Sequence, residues 1–479
     1  MNTPATGVPA DFVKQLFGKG AVIDLGFERF TLISLLGTGG LGVVIKARRQ
    51  SGETVALKFL YDPAGLYRGP VYDRFKQEIK TTKMVGDISD ACVKVYECGE
   101  YTLSPTLSIP FFCMEYVPGI SLEDLIFIRE NPFSLEEIYA MMRQIVDALE
   151  DIHSKGIVHR DIKPSNILFD EVGKTMKITD FGISKDLNTA SELTIQSAEN
   201  EEPFILGSLP YLSRFYFETV AVKPAMIRTG SDGLPQHLKN GMRVFRSDDG
   251  LYYMLYKGKK LDLSVCASTV LYELITRENP FRNAAVQSII SDLLTGRRLD
   301  VKGFVRKNPS GVDPRIARSK RLCSAFERIV KKGLAPTLAE TYATAAELRA
   351  DLDAVMRMGT GRTVRNHEIR LIMNNFFGTT ITAEYDAVFG QLENDFRTGQ
   401  LWNNPKNGAR ILLLYKLHRT ERLMWFMDSL HKQARQIATA AQVSPAMLQF
   451  YHSLFTSLDR FGIDSQYRDT AAMLRKINQ

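Results

Sequence analysis

The sequence lacks any apolar run long enough to cross a bilayer. Its most apolar stretch, Leu263 to Ile275, is interrupted by Ser264, Ser268, Thr269 and Glu273 and is too short to span one. The start, MNTPATGVPADFVKQLFGKG, contains no apolar run of secretion-signal length. Cysteine is scarce: the five residues Cys92, Cys98, Cys113, Cys266 and Cys323 are scattered with no CxxC spacing, and Cys92 and Cys98 have no second pair to complete a metal site. They read as reduced thiols in a reducing compartment. Charge of one sign is not abundant either; a net charge of +7 over 479 residues carries no signature of a nucleic-acid binder. There is no internal repeat. What remains is ordinary globular composition, 44% apolar and 24% charged, in a chain long enough for two or three domains.

One stretch organises the rest: Ile157 to Gly182, IVHRDIKPSNILFDEVGKTMKITDFG. Asn166 follows Asp161 by five residues and Asp180 by nineteen. Two carboxylates and a carboxamide at this spacing suit phosphoryl transfer. Asp161 can accept a hydrogen bond from an attacking hydroxyl, Asn166 and Asp180 can hold Mg²⁺ against a triphosphate, and Lys163 can meet the moving phosphoryl group with positive charge. HRDxKxxN followed by DFG at this distance is specific. Over roughly residues 29–356 the chain resembles the catalytic core of eukaryotic-like, bacterial-type Ser/Thr protein kinases.

Upstream, FERFTLISLLGTGGLGVVIKARRQSGETVALKFL reads as strand, Gly-rich turn, strand, turn, strand. Gly37, Gly39 and Gly42 followed by Val44 fit GxGxxGxV, in which glycine lets the backbone approach phosphates. Alone, that pattern also fits a dinucleotide fold. Here no helix begins at the third glycine, and VALK follows. By resemblance Lys58 contacts the α and β phosphates, with Glu78 on the next helix as its partner; Asp73 competes for that role. Thr82, one helical turn after Glu78, stands where relatives place an apolar residue, and a polar group there is expected to loosen the packing that holds the helix inward. The resemblance also implies that Met114 guards the adenine pocket. The Glu115 carbonyl and Val117 amide would meet the adenine edge, and Val44, Ala56 and Leu168 would sandwich the ring; their alternative reading as plain core residues is compatible with that.

Ser134 and Glu137 form a capping-box pattern before a helix expected to run through Ile152, with Gly156 as a left-handed cap. The segment from Ile183 to Leu212 carries Thr189, Ser191, Thr194 and Ser197 in a polar, acidic stretch. It suits a phosphorylation-switched loop facing Arg160, the alternative being ordinary loop polarity. The family pattern then breaks. Arg214 and Phe215 stand where relatives have Pro and Glu, and Thr341 stands where they have the Arg that pairs with that Glu. About thirty-five extra residues follow, and within 216–260 MRVFRS and LYYMLYKG flank Asp-Asp-Gly as a β-hairpin expected to fold over Phe215. The family's next helix begins with an Asp that aligns with Leu263, leaving Asp262 one residue out of register.

The expected fold is α+β: a two-lobed kinase with a β-rich N-lobe and a helical C-lobe, plus an all-α C-terminal domain. The expected divisions are a leader over 1–26, a kinase domain over 27–358, a hinge at Gly359-Thr360-Gly361 and a helical domain over 362–479. Helical periodicity marks 365–376, 382–397, 407–441, 444–461 and 465–477, with Ser444-Pro445 as cap and first residue. The implied reaction transfers the ATP γ-phosphoryl group to protein Ser or Thr hydroxyls with Mg²⁺, autophosphorylation included; Lys163 favours Ser/Thr over Tyr. Protein substrates are expected, and neither nucleic acid nor membrane. Many bacterial relatives carry a membrane anchor and sensor that this chain does not show, so a cytoplasmic protein is expected. The competing classes are a nucleotide-binding pseudokinase scaffold and a kinase-fold enzyme acting on a non-peptide substrate. The C-terminal domain or a homodimer partner would press the Glu78 helix inward, and a homodimer or a partner of the C-terminal domain is expected.

Overall fold

The computed structural model describes residues 16, 22–25, 28–39, 42–61, 70–105, 107–181, 185–186, five short strands within 219–255, 262–263, 267–279, 303, 305, 311–335, 340–417, 421–439, 443–460 and 465–477. The chain folds as two compact units. One gathers residues from 1–83, 93–120 and 377–479; the other gathers 84–92 and 121–376.

The first unit is built on a six-stranded sheet in the order β1-β2-β3-β4-β6-β5. The strands are β1 (Val22–Asp24), β2 (Arg29–Gly39), β3 (Gly42–Arg49), β4 (Thr54–Leu60), β5 (Val95–Ser104) and β6 (Leu107–Glu115). All neighbours are antiparallel. Strand alternation is visible in β3, where Val43, Ile45 and Ala47 are fully buried while Val44 and Lys46 on the other face are half-buried. The sheet starts earlier than the sequence pattern indicates. Val22, Ile23 and Asp24 pair with Thr31, Phe30 and Arg29, and Leu16 is buried in the same core. Part of the expected leader therefore belongs to this sheet and its core, because Leu16, Ile23 and Leu25 supply apolar area that Phe30 and its neighbours need to cover them. Helix α1 (Pro70–Ile88) follows β4.

The second unit centres on α3 (Leu135–Ser154), preceded by α2 (Leu122–Ile128). The Ser134 side chain accepts from the Glu137 amide while Glu137 accepts from the Ser134 amide, closing the capping box, and Gly156 adopts φ +77° beyond its end. Against α3 pack α4 (Ala267–Thr276), α7 (Ala345–Thr360) and α8 (Asn366–Asn375); α5 (Pro314–Arg318) and α6 (Lys320–Gly333) complete the unit. The contacts with α7 and α8 are partly polar: Tyr139 Oη donates to Asp353 at 2.7 Å, and Arg349 reaches Asp147 at 3.2 Å. The expected hinge is not a break. Gly359 lies inside α7, where a Cβ would meet the Leu135 side chain at 2.2 Å, and Gly361 is the left-handed cap. Beyond it, Phe376 is buried with its ring 6.4 Å from that of Phe133 and 5.9 Å from that of Phe169. This compact unit therefore runs to Phe376.

Two short ribbons, β8 (Ile167–Asp170) with β9 (Thr175–Ile178) and β7 (Ile157–Val158) with β10 (Lys185–Asp186), hold the loop region. In the inserted segment, Val244–Arg246 pairs with Tyr252–Leu255 as the sequence signals, and Thr219–Ala221 adds a third strand. Ile227–Thr229 and Pro235–Leu238 form a separate ribbon. Thr341 is buried; Phe215 lies outside the described residues.

C-terminal to Phe376 the helices run Ile381–Arg397, Asn407–Leu417, Glu421–Ile437, Pro445–Arg460 and Ser465–Ile477. The one long helix expected over 407–441 is two helices; Thr420, immediately before Glu421 in sequence, is a residue type that favours helix starts. No helix among the described residues is long and apolar enough to cross a membrane. Replacing Phe376 by Ala should destabilise the unit by about 3–5 kcal/mol, the usual loss for a buried Phe. Chemical denaturation of the full chain tests this, and truncation after Met358 should unfold α3's surroundings for the same reason.

Candidate active site

The first unit supplies a cationic site on one face of its sheet. Val44, Lys58 and Phe112 occupy one cross-strand row, and Lys46, Ala56 and Met114 the next. Directly opposed residues share a face, so the candidates Val44, Ala56, Lys58 and Met114 stand together. Lys58, only 8% exposed, is ion-paired with Glu78, 1% exposed. Of the two acids considered, Glu78 is therefore the partner; Asp73 sits exposed in the first turn of α1. Glycine is needed at Gly42, where a Cβ would lie 2.1 Å from the Phe59 carbonyl oxygen, whereas Gly37 faces open space. Gly39 pairs with Gly42 at the tip of the β2–β3 hairpin. Met114 and Val117 are buried, and the Glu115 amide donates to the Lys94 carbonyl at 2.8 Å. Thr82 is buried one turn after Glu78, and among the described residues its hydroxyl has no hydrogen-bond partner.

The second unit supplies the acidic site. Asp161 Oδ2 accepts from Lys163 Nζ at 2.7 Å and from Asn166 Nδ2 at 3.1 Å, and Asn166 Nδ2 also donates to the Asp161 carbonyl at 2.9 Å. Asn166 precedes β8 directly, and the Thr179 amide donates to its carbonyl at 3.0 Å. Since Ile167 pairs with Ile178, Asn166 and Asp180 emerge from the same end of the β8–β9 ribbon. Leu168 is half-buried on the ribbon while its neighbours Ile167 and Phe169 are fully buried. Gly182 and the hydroxyls Thr189, Ser191, Thr194 and Ser197 lie outside the described residues.

Two residues here hold left-handed backbone, Arg160 at φ +71° and Asp180 at φ +65°, a conformation that costs about 1–3 kcal/mol each for a non-glycine residue. His159 ties both loops together. Its Nδ1 accepts from the Asp161 amide at 3.2 Å, its Nε2 donates to the Thr179 carbonyl at 3.0 Å, and its ring lies 4.5 Å from that of Phe181. Beneath it sits Asp262, fully buried, which accepts from the His159 amide at 2.8 Å, the Arg160 amide at 2.6 Å and His153 Nε2 at 2.9 Å. The doubt over whether Asp262 braces the loop is resolved by these bonds, which run straight to two of the loop's amides. The sequence motifs do not single out His153 or His159 for this bracing; the usable signal is His153 near the end of α3, a residue type suited to a buried carboxylate.

Burial pushes the Asp262 carboxyl upward, but the hydrogen bond and charge of His153, with His159 and the Arg160 amide, outweigh it and hold the group below its ordinary value of 3.8.

Residues 30–205 match the protein kinase domain family. Residues 30–205 thus carry a protein kinase domain. The match stops just before the altered Gly207–Phe215 stretch and the insert. The kinase PknB of Mycobacterium tuberculosis is 29% identical over 327 residues, 68% of this chain and 42% of PknB. A probable serine/threonine-protein kinase of Corynebacterium efficiens is 26% identical over 343 residues, covering 71% and 43%. Serine/threonine-protein kinase A of Synechocystis is 35% identical over 200 residues, covering 39% and 35%. The matched part thus spans less than half the length of these relatives.

Three outcomes are expected. Asp262→Ala should destabilise by about 3–5 kcal/mol by stranding its buried donors. The depressed carboxyl contributes stability that is fully present above pH 3.8 and lost as pH falls through its lower folded value. Asp262→Asn should therefore lose that part of the acid limb in a stability-versus-pH series. Thr82→Val should stabilise by about 1 kcal/mol, read as a higher denaturation midpoint, since it removes a buried hydroxyl without a described partner at nearly constant shape; an unchanged midpoint would show that the hydroxyl is satisfied in solution.

Proposed function

We propose that the chain is an ATP-dependent protein kinase acting on Ser or Thr hydroxyls, autophosphorylation included. The observation that carries this reading is the Asp161–Lys163–Asn166 constellation beside Asp180. Asp161 presents a carboxylate oxygen to the attacking hydroxyl, orienting it, while Lys163 balances the charge gathering on the transferred phosphoryl group. Lys58, fixed by Glu78, meets the α and β phosphates, and the open space at Gly37 admits them to the hairpin tip. The adenine edge meets the Glu115 carbonyl and Val117 amide, with Val44 and Ala56 against the ring and Met114 guarding the pocket.

The donor set fits Mg²⁺. Asn166 spends its amide nitrogen on Asp161, which leaves its carbonyl oxygen as the remaining donor, and Asp180 adds a half-buried carboxylate at the same ribbon end. Both are hard oxygen ligands. When bound, the ion supplies positive charge against the phosphates. A cytoplasmic location fits the scattered reduced thiols. The intact polar set, Lys58, Asp161, Asn166 and Asp180, speaks against a scaffold without catalysis.

Transfer of label from γ-labelled ATP to protein Ser or Thr tests the reading. Asp161→Asn should lower the rate by about two orders of magnitude or more while leaving the chain folded. Near-normal transfer by that variant would refute the assignment.

A further inference from the structure

Lys46 is a cation on the wrong face for a solvated lysine. It lies in the row of Ala56 and Met114, one row beyond Val44 and Lys58, on the face that carries the nucleotide candidates. It is half-buried, and among the described residues it has no carboxylate partner. Its ammonium instead donates to the Tyr116 hydroxyl at 3.0 Å and stands 4.3 Å from the centre of the same ring. Tyr116 is the residue between Glu115 and Val117. On the opposite side that segment is already tied to the start of β5, through the Glu115 amide on the Lys94 carbonyl at 2.8 Å and the Lys94 amide on the Glu115 carboxylate at 3.3 Å. Lys46 supplies the second tie, from β3.

We propose that Lys46 is a positioning residue for adenine: by gripping Tyr116 it fixes the path of Glu115–Val117, and with it the carbonyl and amide that read the base edge. This rests on the kinase reading above. Backbone groups recognise a base only within a narrow range of position, so a segment held at one end only would bind more weakly and discriminate less. Adenine and guanine present opposite donor–acceptor patterns at their six-position and N1. Loss of position should therefore erode the preference for ATP over GTP. A cation gripping an aromatic ring also explains why lysine, not an apolar residue, occupies this half-buried site.

The test uses the full chain, with ATP and GTP binding measured directly by displacement of a fluorescent nucleotide and initial rates measured in parallel. Lys46→Met should weaken ATP binding by about tenfold, the scale of a partly desolvated cation–ring contact with its hydrogen bond. It should narrow the ATP-over-GTP preference and lower turnover at saturating ATP far less than affinity. Lys46→Arg should restore most of the affinity, and Tyr116→Phe, which keeps the ring, should fall between wild type and Lys46→Met. Melting of each variant without nucleotide checks that the fold is intact. Unchanged ATP affinity in Lys46→Met, with wild type binding normally, overturns this proposal alone. Equal loss for both nucleotides overturns it too, because the effect is then not on the base. A wild-type chain that binds neither nucleotide overturns the kinase reading and this proposal with it.

Discussion

A single buried carboxylate carries the loop from His159 to Asp161. Asp262 has no solvent to share its charge, so it needs donors, and it takes three: two successive backbone amides and one imidazole. One of those amides belongs to Arg160, whose left-handed backbone would otherwise relax. The strain at residue 160 and the charge at residue 262 are thus two costs that offset each other. Asp161 inherits its position from this arrangement, because it follows Arg160 directly and its own amide is fixed by His159. His159 then passes the constraint to Thr179, the residue before Asp180. Asp161 and Asp180 are registered through one imidazole, which accepts at Nδ1 and donates at Nε2.

The other unit has a comparable but less secure device. Lys58 and Glu78 are both nearly removed from water, where an ion pair survives only with close geometry, and the loss of either partner would strand the other. The helix that brings Glu78 to Lys58 also carries Thr82, whose buried hydroxyl finds no partner among the described residues. A favourable pair and an unfavourable hydroxyl sit one turn apart on the same helix, so the inward position of α1 is held by a smaller margin than the ion pair alone would give. A helix held by a small margin responds to small added contacts.

Most of the site was legible because its chemistry is local. HRDIKPSN and DFG lie within one stretch, and the ribbon that aligns Asn166 with Asp180 is encoded by the residues between them. Glu78 was legible through helical spacing, though Asp73 could be set aside only by seeing which carboxylate faces Lys58. What the sequence did not yield depends on distant pairing. Asp262 looks out of register because its role rests on partners more than a hundred residues away. Val22–Asp24 carries too few residues to announce a strand, and only the pairing with Arg29–Thr31 makes it one. The Lys46 contact was hidden because nothing in a lysine on an alternating strand says that its ammonium will find an aromatic ring seventy residues away.

The glycines near residue 360 show why composition misleads about boundaries. Gly-Thr-Gly in a polar stretch reads as a joint, yet Gly359 is small because Leu135 occupies the space a Cβ would need. Only Gly361 is there for its backbone, at φ +73°. The chain does not leave the helical unit at that point. It returns through α8, sets Asn366 near Arg143, and inserts Phe376 beside Phe133 and Phe169, with the Arg129 guanidinium 5.4 Å above the Phe376 ring. Arg129 in turn donates to the Asn131 and Pro132 carbonyls and to Glu137, the acid of the α3 capping box. A residue far beyond the family's matched segment therefore completes the packing around the start of α3, the helix that leads into the catalytic loop. The sequence after residue 361 is consequently part of what keeps that loop in place, whatever else the helices after Phe376 do.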